Sequence, residues 1–557
     1  MDNHISCQKV RRGVILVVVL IVIVLLTLSV LTFSKFMSAQ RRGTRHALRQ
    51  TQVRLLAESG AEYMRNLLAK DTYTLLELGG LYDNPAEFCG HIVTDGTIVM
   101  GGIAAGTAAS ESQIDSRDVG RFSVTAPALS ENGILTGEQI RFGLEDESCK
   151  VNLRMILQID TETPGAGRIL LMRLPGVTID IADAILDWLD EDNEPREYGA
   201  EDDYYASLDP PYYSRNKMPD SIDELLLVRG MTPKLLYGID WNRNGIIDRG
   251  EPDEITLDES GVTDGSLNLG LAAYLTLDSR ESMTTPDGLK KINVNMEDLD
   301  ELRSLLEERF EEQTWVDYII SYRQGSTGTG TTDTTGAPAD GSAPGTSGST
   351  AGTSSTEAAG TETTIKTLFD LVGGNGSPFA EDADAMRDYM PLLYDNLTTS
   401  DTPVIGRINI NQAPRAVLNI LIPGEAELEQ ESGVAAEFAA EVAATMSSVV
   451  ENILAARVCD PALIEQTEMN YPFWIYTQGF ADFDTMKSLA EVICTQGAVF
   501  KGAVTGRFDE QSPVSRHEVW LDASEGGKPA KIIRIRDISE LGPGYTAELL
   551  NADAWAR

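Results

Sequence analysis

The sequence predicts an α+β fold: a long N-terminal helix packed on an antiparallel sheet that a large α-helical domain interrupts. Three observations carry this. An 18-residue apolar run, Val14 to Leu31, is broken only by Thr27 and Ser29 and leads into a helix-spaced apolar stripe. Short β-branched or alternating segments occur near both ends of the chain. Between them lie segments with helical periodicity.

The run opens the chain's first element. At ~1.5 Å per residue it crosses most of a bilayer core, and Lys9, Arg11 and Arg12 stand just ahead of it. Leu48, Leu55, Leu56, Tyr63, Met64 and Leu67 then recur at helix spacing, so one helix should lie half in lipid and half against protein. A secretory signal peptide would have a shorter apolar core and a small-x-small cleavage site, and neither is evident. An uncleaved signal anchor stays open as an alternative. Lys35, Arg41, Arg42, Arg45, Arg49 and Arg54 follow the span and outnumber the basic residues before it, so charge counting alone would put the bulk of the chain on the cytoplasmic side.

After this helix, Thr97 to Met100, Arg121 to Val124 and Gln139 to Phe142 read as strands with Gly-rich turns between them. Val514 to Leu521 and Lys531 to Ile538 read as a hairpin around Gly526-Gly527-Lys528-Pro529. Ile179 to Leu189, Leu299 to Tyr322 and Ala435 to Arg457 are helical by pattern. Gly325 to Thr363 is almost wholly Gly, Ser, Thr, Ala and Pro and should be a disordered loop, too poor in apolar surface to offset its chain entropy. The expected domains are therefore a leader at 1–13, a transmembrane half-helix at 14–34, an α/β domain begun at 35–149 and completed at 491–557, and a helical insertion at 150–490.

One motif recurs within the insertion. Lys291-Ile292-Asn293-Val294-Asn295 and Arg407-Ile408-Asn409-Ile410-Asn411-Gln412-Ala413-Pro414 each precede a helix, where Asn can cap the first turn, and Lys150-Val151-Asn152-Leu153 is a degenerate third copy. Leu174-Pro175-Gly176-Val177 between two helical runs suggests a helix-hairpin-helix, read either as a phosphate-holding device or as packing.

The 557 residues carry 86 acidic and 45 basic side chains, a net charge of −41 that repels phosphate backbones, so no nucleic-acid partner is expected and divalent cations are the natural counter-charge. Beyond Cys7, the four cysteines permit the sequence-local pairs Cys459 with Cys494 and Cys89 with Cys149, with buried free thiols as the alternative. His4, His46, His91 and His517 have no metal-ligand spacing, and no nucleophile elbow, Walker loop or His-Glu-x-x-His occurs, so no enzyme activity is expected.

Asp240 to Glu251 fits a 12-residue calcium loop: Asp240, Asn242, Asn244 and Asp248 supply oxygens at positions 1, 3, 5 and 9, Gly245 the turn, Ile246 a carbonyl and Glu251 a bidentate carboxylate. Three carboxylates predict modest affinity, roughly 10⁻⁴ to 10⁻³ M. An Asx-rich turn without metal is the alternative.

Arg12-Gly13-Val14-Ile15-Leu16, Asp187 to Asp190, Gly199 to Tyr205, Leu225 to Thr232 and Asn409 to Pro414, in this order, resemble the protein K minor pseudopilins of the type II secretion system. The resemblance implies a pilin-like α/β domain with a large inserted helix-hairpin-helix or SAM-like domain. It also implies prepilin-peptidase cleavage between Gly13 and Val14 with methylation of Val14. Most pilins carry Glu at the fifth mature position, here Val18, and protein K is the member that lacks it. The implied setting is the bacterial inner membrane, single-pass, with the bulk in the periplasm. There I-type and J-type minor pseudopilins would join this chain at the tip of a pseudopilus built from G-type subunits. Because the family binds calcium in its insertion, the acidic run Asp187, Asp190, Asp192, Glu194, Glu201, Asp202 and Asp203 is a candidate second metal site, a solvated charge run being the alternative. A type IV pilus minor pilin and a membrane-anchored helix-hairpin-helix DNA-uptake receptor are the rival assignments.

Overall fold

The computed structural model describes residues 12–94, 97–99, 119–251, 265–325, 363–423, 436–508, 512–546 and 549–550, with 12–15, 94, 97–99 and 436–441 described by backbone alone. The leader residues 1–11, including Cys7, and nearly all of the predicted disordered loop lie outside the described residues.

Helix α1 (Arg12–Leu67) runs unbroken for 56 residues. From Leu16 to Met37 its large apolar side chains are exposed, and by length and composition it is a candidate membrane span near the N-terminus. Its buried face starts only at Val53 and continues through Leu56, Ala57, Ala61, Met64 and Leu67, a 3–4 residue rhythm that turns one stripe toward the sheet. Here the sequence expectation needs correction. Leu48 and Leu55 lie on the other side of the helix and are exposed, because the contact stripe passes through Val53 and Leu56 instead.

The sheet has eight strands drawn from both flanks of the helical part: β1 (His91–Thr94), β2 (Thr97–Val99), β3 (Gly120–Pro127), β4 (Ile140–Arg141), β5 (Glu145–Asp146), β6 (Val499–Arg507), β7 (Ser515–Asp522) and β8 (Lys531–Asp537). The order is β8-β7-β6-β3-β1-β2, with β4 beside β3 and β5 beside β6, and all these pairings are antiparallel. Central β3 and β6 come from opposite ends of the chain yet pair Val124 with Val504 and Phe122 with Gly506. Met64, Phe122, Val124, Val504, Val519 and Leu521 form the core between α1 and the sheet. Each such side chain contributes roughly 1.5–3 kcal/mol on burial. The helix lies so close that a Cβ at Gly506 would meet the Val53 carbonyl oxygen at 2.4 Å, and one at Gly60 would meet Val504 at 2.5 Å.

The helical part has its own core and contains α2 (Leu153–Glu162), α3 (Ala166–Met172), α4 (Ile179–Leu189), α5 (Leu299–Arg309), α6 (Gln313–Arg323), α7 (Ala383–Asn396) and α8 (Ala436–Ala456). Each copy of the Asn motif forms one strand of a two-residue parallel pair: Val151-Asn152 with Leu275-Thr276, Ile292-Asn293 with Leu397-Thr398, and Ile408-Asn409 with Ile493-Cys494. In all three, the Asn oxygen accepts the backbone N–H two residues on, from Arg154, Asn295 and Asn411. The degenerate copy is thus equivalent to the other two. The Leu174–Val177 turn joins α3 to α4, with Gly176 at φ +72.

Candidate calcium centres

The predicted calcium loop follows the turn at Gly238 and is wound around Asp240, which is almost fully buried. Its Oδ1 accepts the Asn244 N–H at 3.1 Å and its Oδ2 the Gly245 N–H at 2.7 Å. Arg243 at φ +53 and Gly245 at φ +78 turn the chain back so that these amides face the carboxylate. Asn244 Oδ1 accepts the Ile246 N–H at 2.7 Å. Glu251 closes the loop: one oxygen accepts the Trp241 N–H at 2.8 Å and the other the Asp248 N–H at 2.9 Å. Asp248 Oδ2 accepts both carboxamides, Asn242 at 2.7 Å and Asn244 at 2.9 Å.

The donor set fits a hard cation. Asp240, Asn242, Asn244, Asp248 and Glu251 share one hydrogen-bonded loop, although the Asp240, Asp248 and Glu251 carboxylates do not all come within 4.8 Å of one another, and Asn242 Oδ1 is buried with no hydrogen-bond partner. Burial, with the Glu251 charge adding, pushes the Asp240 carboxyl up to about 6. A cation would relieve that penalty. Both Asn amides now turn N–H groups toward Asp248, and rotating a carboxamide presents its oxygen in their place.

The second acidic run divides. Asp190, Asp192 and Glu201 can bring one carboxylate oxygen each within 4.8 Å of one another. Both Glu201 oxygens and Asp190 Oδ1 are buried and unpartnered. Burial raises Asp190 to about 6 and Glu201 to about 7, and the neighbouring carboxylates push the same way. The remaining candidates are engaged elsewhere. Asp187 accepts the backbone N–H and guanidinium of Arg196, whose other nitrogen reaches Asp160 at 2.8 Å. Asp202 accepts the Ser214 N–H at 2.9 Å and its hydroxyl at 2.7 Å. Glu194 is exposed and gives its N–H to Asp192, and Asp203 is exposed on a short helix.

Two participants escaped the sequence reading. Arg196, the lone cation inside the acidic run, was a legible signal because its guanidinium pairs with Asp187 and with Asp190 Oδ2 at 2.5 Å, leaving Asp190 Oδ1 and both Glu201 oxygens buried and unpartnered. Asn216, at φ +51, donates to the Asp192 carbonyl and keeps its own Oδ1 buried and unpartnered. Nothing in its sequence context marks it.

Cys89, Cys149, Cys459 and Cys494 are free thiols. Neither sequence-local pair is formed: Cys89 points at the Leu550 carbonyl in the sheet core, whereas Cys149 faces Gln412 of the helical part. Gly13 and Val14 form the first turns of α1, described by backbone alone.

A long helix with one half apolar and exposed and the other half packed on an antiparallel sheet defines a pilin-like α+β protein, here with a large helical domain set into the sheet's connectivity. Residues 149–239, which contain α2–α4 and the Asp190–Glu201 cluster, match the family model described as type II secretion system (T2SS), protein K. The match covers the first part of the helical region and no other part of the chain. Similar proteins are the type II secretion system protein K of Aeromonas hydrophila, 47% identical over 58 residues (10% of this chain, 18% of the relative), and that of Pectobacterium carotovorum subsp. carotovorum, 32% identical over 138 residues (22% and 42%). A putative type II secretion system protein K of Escherichia coli K12 is 40% identical over 60 residues (11% and 18%). The chain thus matches less than half the length of these relatives. Among solved structures, the GspK-GspI-GspJ complex of the enterotoxigenic Escherichia coli type 2 secretion system matches over 90% of this chain and 98% of that one, at 11% identity and a TM-score of 0.30.

Proposed function

We propose that this chain is a minor pseudopilin of the type II secretion system, a non-catalytic assembly subunit that primes and caps the tip of a periplasmic pseudopilus. The observation that carries the reading is α1: one uninterrupted helix whose first half suits lipid and whose second half is the spine of the sheet domain, in a chain whose residues 149–239 match the protein K family model. The leader 1–13 is removed by a prepilin peptidase and Val14 is methylated. The anchor spans the inner membrane once at 14–34, and the α/β domain of 35–149 and 491–557 and the insertion of 150–490 stand in the periplasm. Partners are I-type and J-type minor pseudopilins and the G-type major subunit. In a pilin fibre an acidic fifth side chain can pair with a neighbour's N-terminal ammonium, which offsets the cost of holding charge among apolar helices. Val18 forgoes that contact, which suits a subunit with none above it.

Two calcium sites belong to the proposal. One is held by Asp240, Asn242, Asn244, the Ile246 carbonyl, Asp248 and Glu251, and the other by Asp190, Asp192 and Glu201 with Asn216 beside them. Calcium would supply the positive charge these buried oxygens lack. Mass spectrometry of the protein isolated from membranes of a cell with an active prepilin peptidase tests the assignment. A methylated Val14 N-terminus is expected, and a retained Met1 leader would refute it.

A further inference from the structure

The neck of α1 concentrates positive charge in an otherwise acidic chain. From Asn3 to Ala57 there is no Asp or Glu, although the whole sequence has 86. Apolar side chains stand exposed as far as Met37, and the first core residue is Val53. The 15 residues between them, 38–52, form a helical neck ~22 Å long. Its cations differ in their engagements. Arg49 lies over the Phe508 ring at 4.1 Å, and beyond the neck Arg54 pairs with Glu58 at 3.1 Å, so both are committed to the folded domain. Arg41, Arg42 and Arg45 are exposed and make no ion pair among the described residues.

Their height and direction identify what they meet. Arg41, Arg42 and Arg45 lie four to eight residues past Met37, or ~6–12 Å along the helix, while the headgroup zone beyond the hydrocarbon core is ~5–8 Å thick. In a helix every Cα–Cβ bond tilts toward the N-terminus, which here is the bilayer side. Long arginine stems therefore snorkel back into the headgroup layer.

We propose that Arg41, Arg42 and Arg45 form a docking collar for anionic phospholipid headgroups on the membrane face from which the folded domains project. The inference rests on α1 being a membrane anchor. It explains a charge pattern that runs against the usual orientation rule, since the excess of cations on the domain side finds its counter-charge in lipid phosphate. It also sets the depth of the span: the guanidinium groups hold the neck at the surface while a domain of net negative charge is kept a neck's length away. Continuity with the span favours lipid over an acidic protein surface, because headgroups surround this part of the helix whether or not a partner is present.

The test uses the full-length protein in nanodiscs holding equal amounts of phosphatidylcholine and phosphatidylglycerol. Retained lipid is quantified by mass spectrometry after mild delipidation, for the wild type, the triple variant R41Q/R42Q/R45Q and the charge-preserving triple variant R41K/R42K/R45K. A basic residue near an anionic surface contributes about a fivefold preference. The wild type and the lysine variant should therefore retain several-fold more phosphatidylglycerol than phosphatidylcholine, and the glutamine variant should return to the bulk ratio. Raising the salt to ~0.5 M should shrink the enrichment by screening. A bulk ratio in the wild type, or enrichment unchanged in the glutamine variant, overturns the proposal. Unchanged lipid ratios with lost binding of a co-purifying subunit would assign the collar to an acidic protein surface instead. Recovery of the chain outside the nanodiscs would show that the anchor reading itself has failed.

Discussion

Replacing Arg516 with Met removes a side chain that fastens the Asp240–Glu251 loop to the sheet. Arg516 sits on β7, almost fully buried, and its guanidinium donates to the Asn242 carbonyl at 2.8 Å and the Arg243 carbonyl at 2.7 Å, beside the Tyr545 ring at 5.6 Å. Tyr545 in turn donates to the Asn244 carbonyl at 2.6 Å. A hydrogen bond from a charged donor contributes about 1.5–3 kcal/mol, so losing two should make local opening easier by at least ~3 kcal/mol. Met keeps much of the volume and none of the donors. At 1.36 kcal/mol per tenfold, the Asn244 and Gly245 amides, which donate to Asp240, should exchange hydrogen roughly 150-fold faster in the variant. Calcium at a concentration ~100 times its dissociation constant should return about 2.7 kcal/mol of that protection. Hydrogen exchange read by mass spectrometry on the full-length protein in detergent, with calcium or with chelator, measures both effects. Equal exchange in wild type and variant would refute the fastening role, and protection indifferent to calcium in both proteins would refute the metal assignment of this loop.

Four further outcomes follow from the same geometry. Glu201→Gln should weaken calcium binding by at least ~10-fold in calorimetry while leaving the Asp240 loop's site intact, since outer and first-contact ligands commonly carry that much. Burial raises Asp190 to about 6 and Glu201 to about 7, so in chelator their stabilising effect is full below the ordinary carboxylate range and lost as pH rises through 6 to 7; calcium, which needs both ionised, should reverse that slope in thermal melts. Gly506→Ala should cost more than Gly60→Ala, within the ~1–3 kcal/mol of overpacking, because its Cβ meets the backbone oxygen of Val53, whereas that of Gly60 meets the rotatable Val504 and Phe122 side chains. His517, buried under α1 with Glu58, Arg54 and Asp537 around it, is held below its usual value by burial, so stability should be full above pH ~6.5 and decline as pH falls through the depressed value. His517→Gln should flatten that decline in denaturant titrations.

Legibility followed the range of the forces involved. The long N-terminal helix, α4, α8 and the C-terminal hairpin were readable because 3.6-residue and two-residue periodicities are local, and the described bounds Ile179–Leu189, Ala436–Ala456, Ser515–Asp522 and Lys531–Asp537 lie within one residue of the patterns. The Asp240–Glu251 loop could be singled out because its oxygen-bearing residues are contiguous. The second cluster was readable only as a run of acids. Which oxygens stay free depends on Arg196 and on Asn216, and the latter reaches the run from 24 residues beyond Asp192. Leu48 and Leu55 misled because spacing fixes a helix's faces but not which face meets the sheet. Arg516 gave no signal at all: a single arginine on a strand becomes a fastening point only through residues 273 and 274 positions away.

The Asn motif shows how the helical part and the sheet are joined. In the third copy, Asn409 is fully buried and donates through Nδ2 to Asp146 Oδ2 at 2.8 Å, and Asp146 also accepts the Gly497 N–H at 2.7 Å and the Ser148 N–H at 2.8 Å. Asp146 belongs to β5, which pairs with β6. A capping residue repeated through the insertion for local reasons is thus used once more, to tie the last repeat to the first and second halves of the sheet at a single carboxylate. Burial raises the Asp146 carboxyl despite those donors, so the tie is held by geometry and hydrogen bonding under a net desolvation cost. Together with Arg280–Asp522 at 2.8 Å and Arg534–Asp278 at 3.1 Å, it gives the insertion separate fastenings along β5, β7 and β8. A bulky domain tied at several strands transmits the setting of α1 to its far surface, which a domain on a flexible linker could not do.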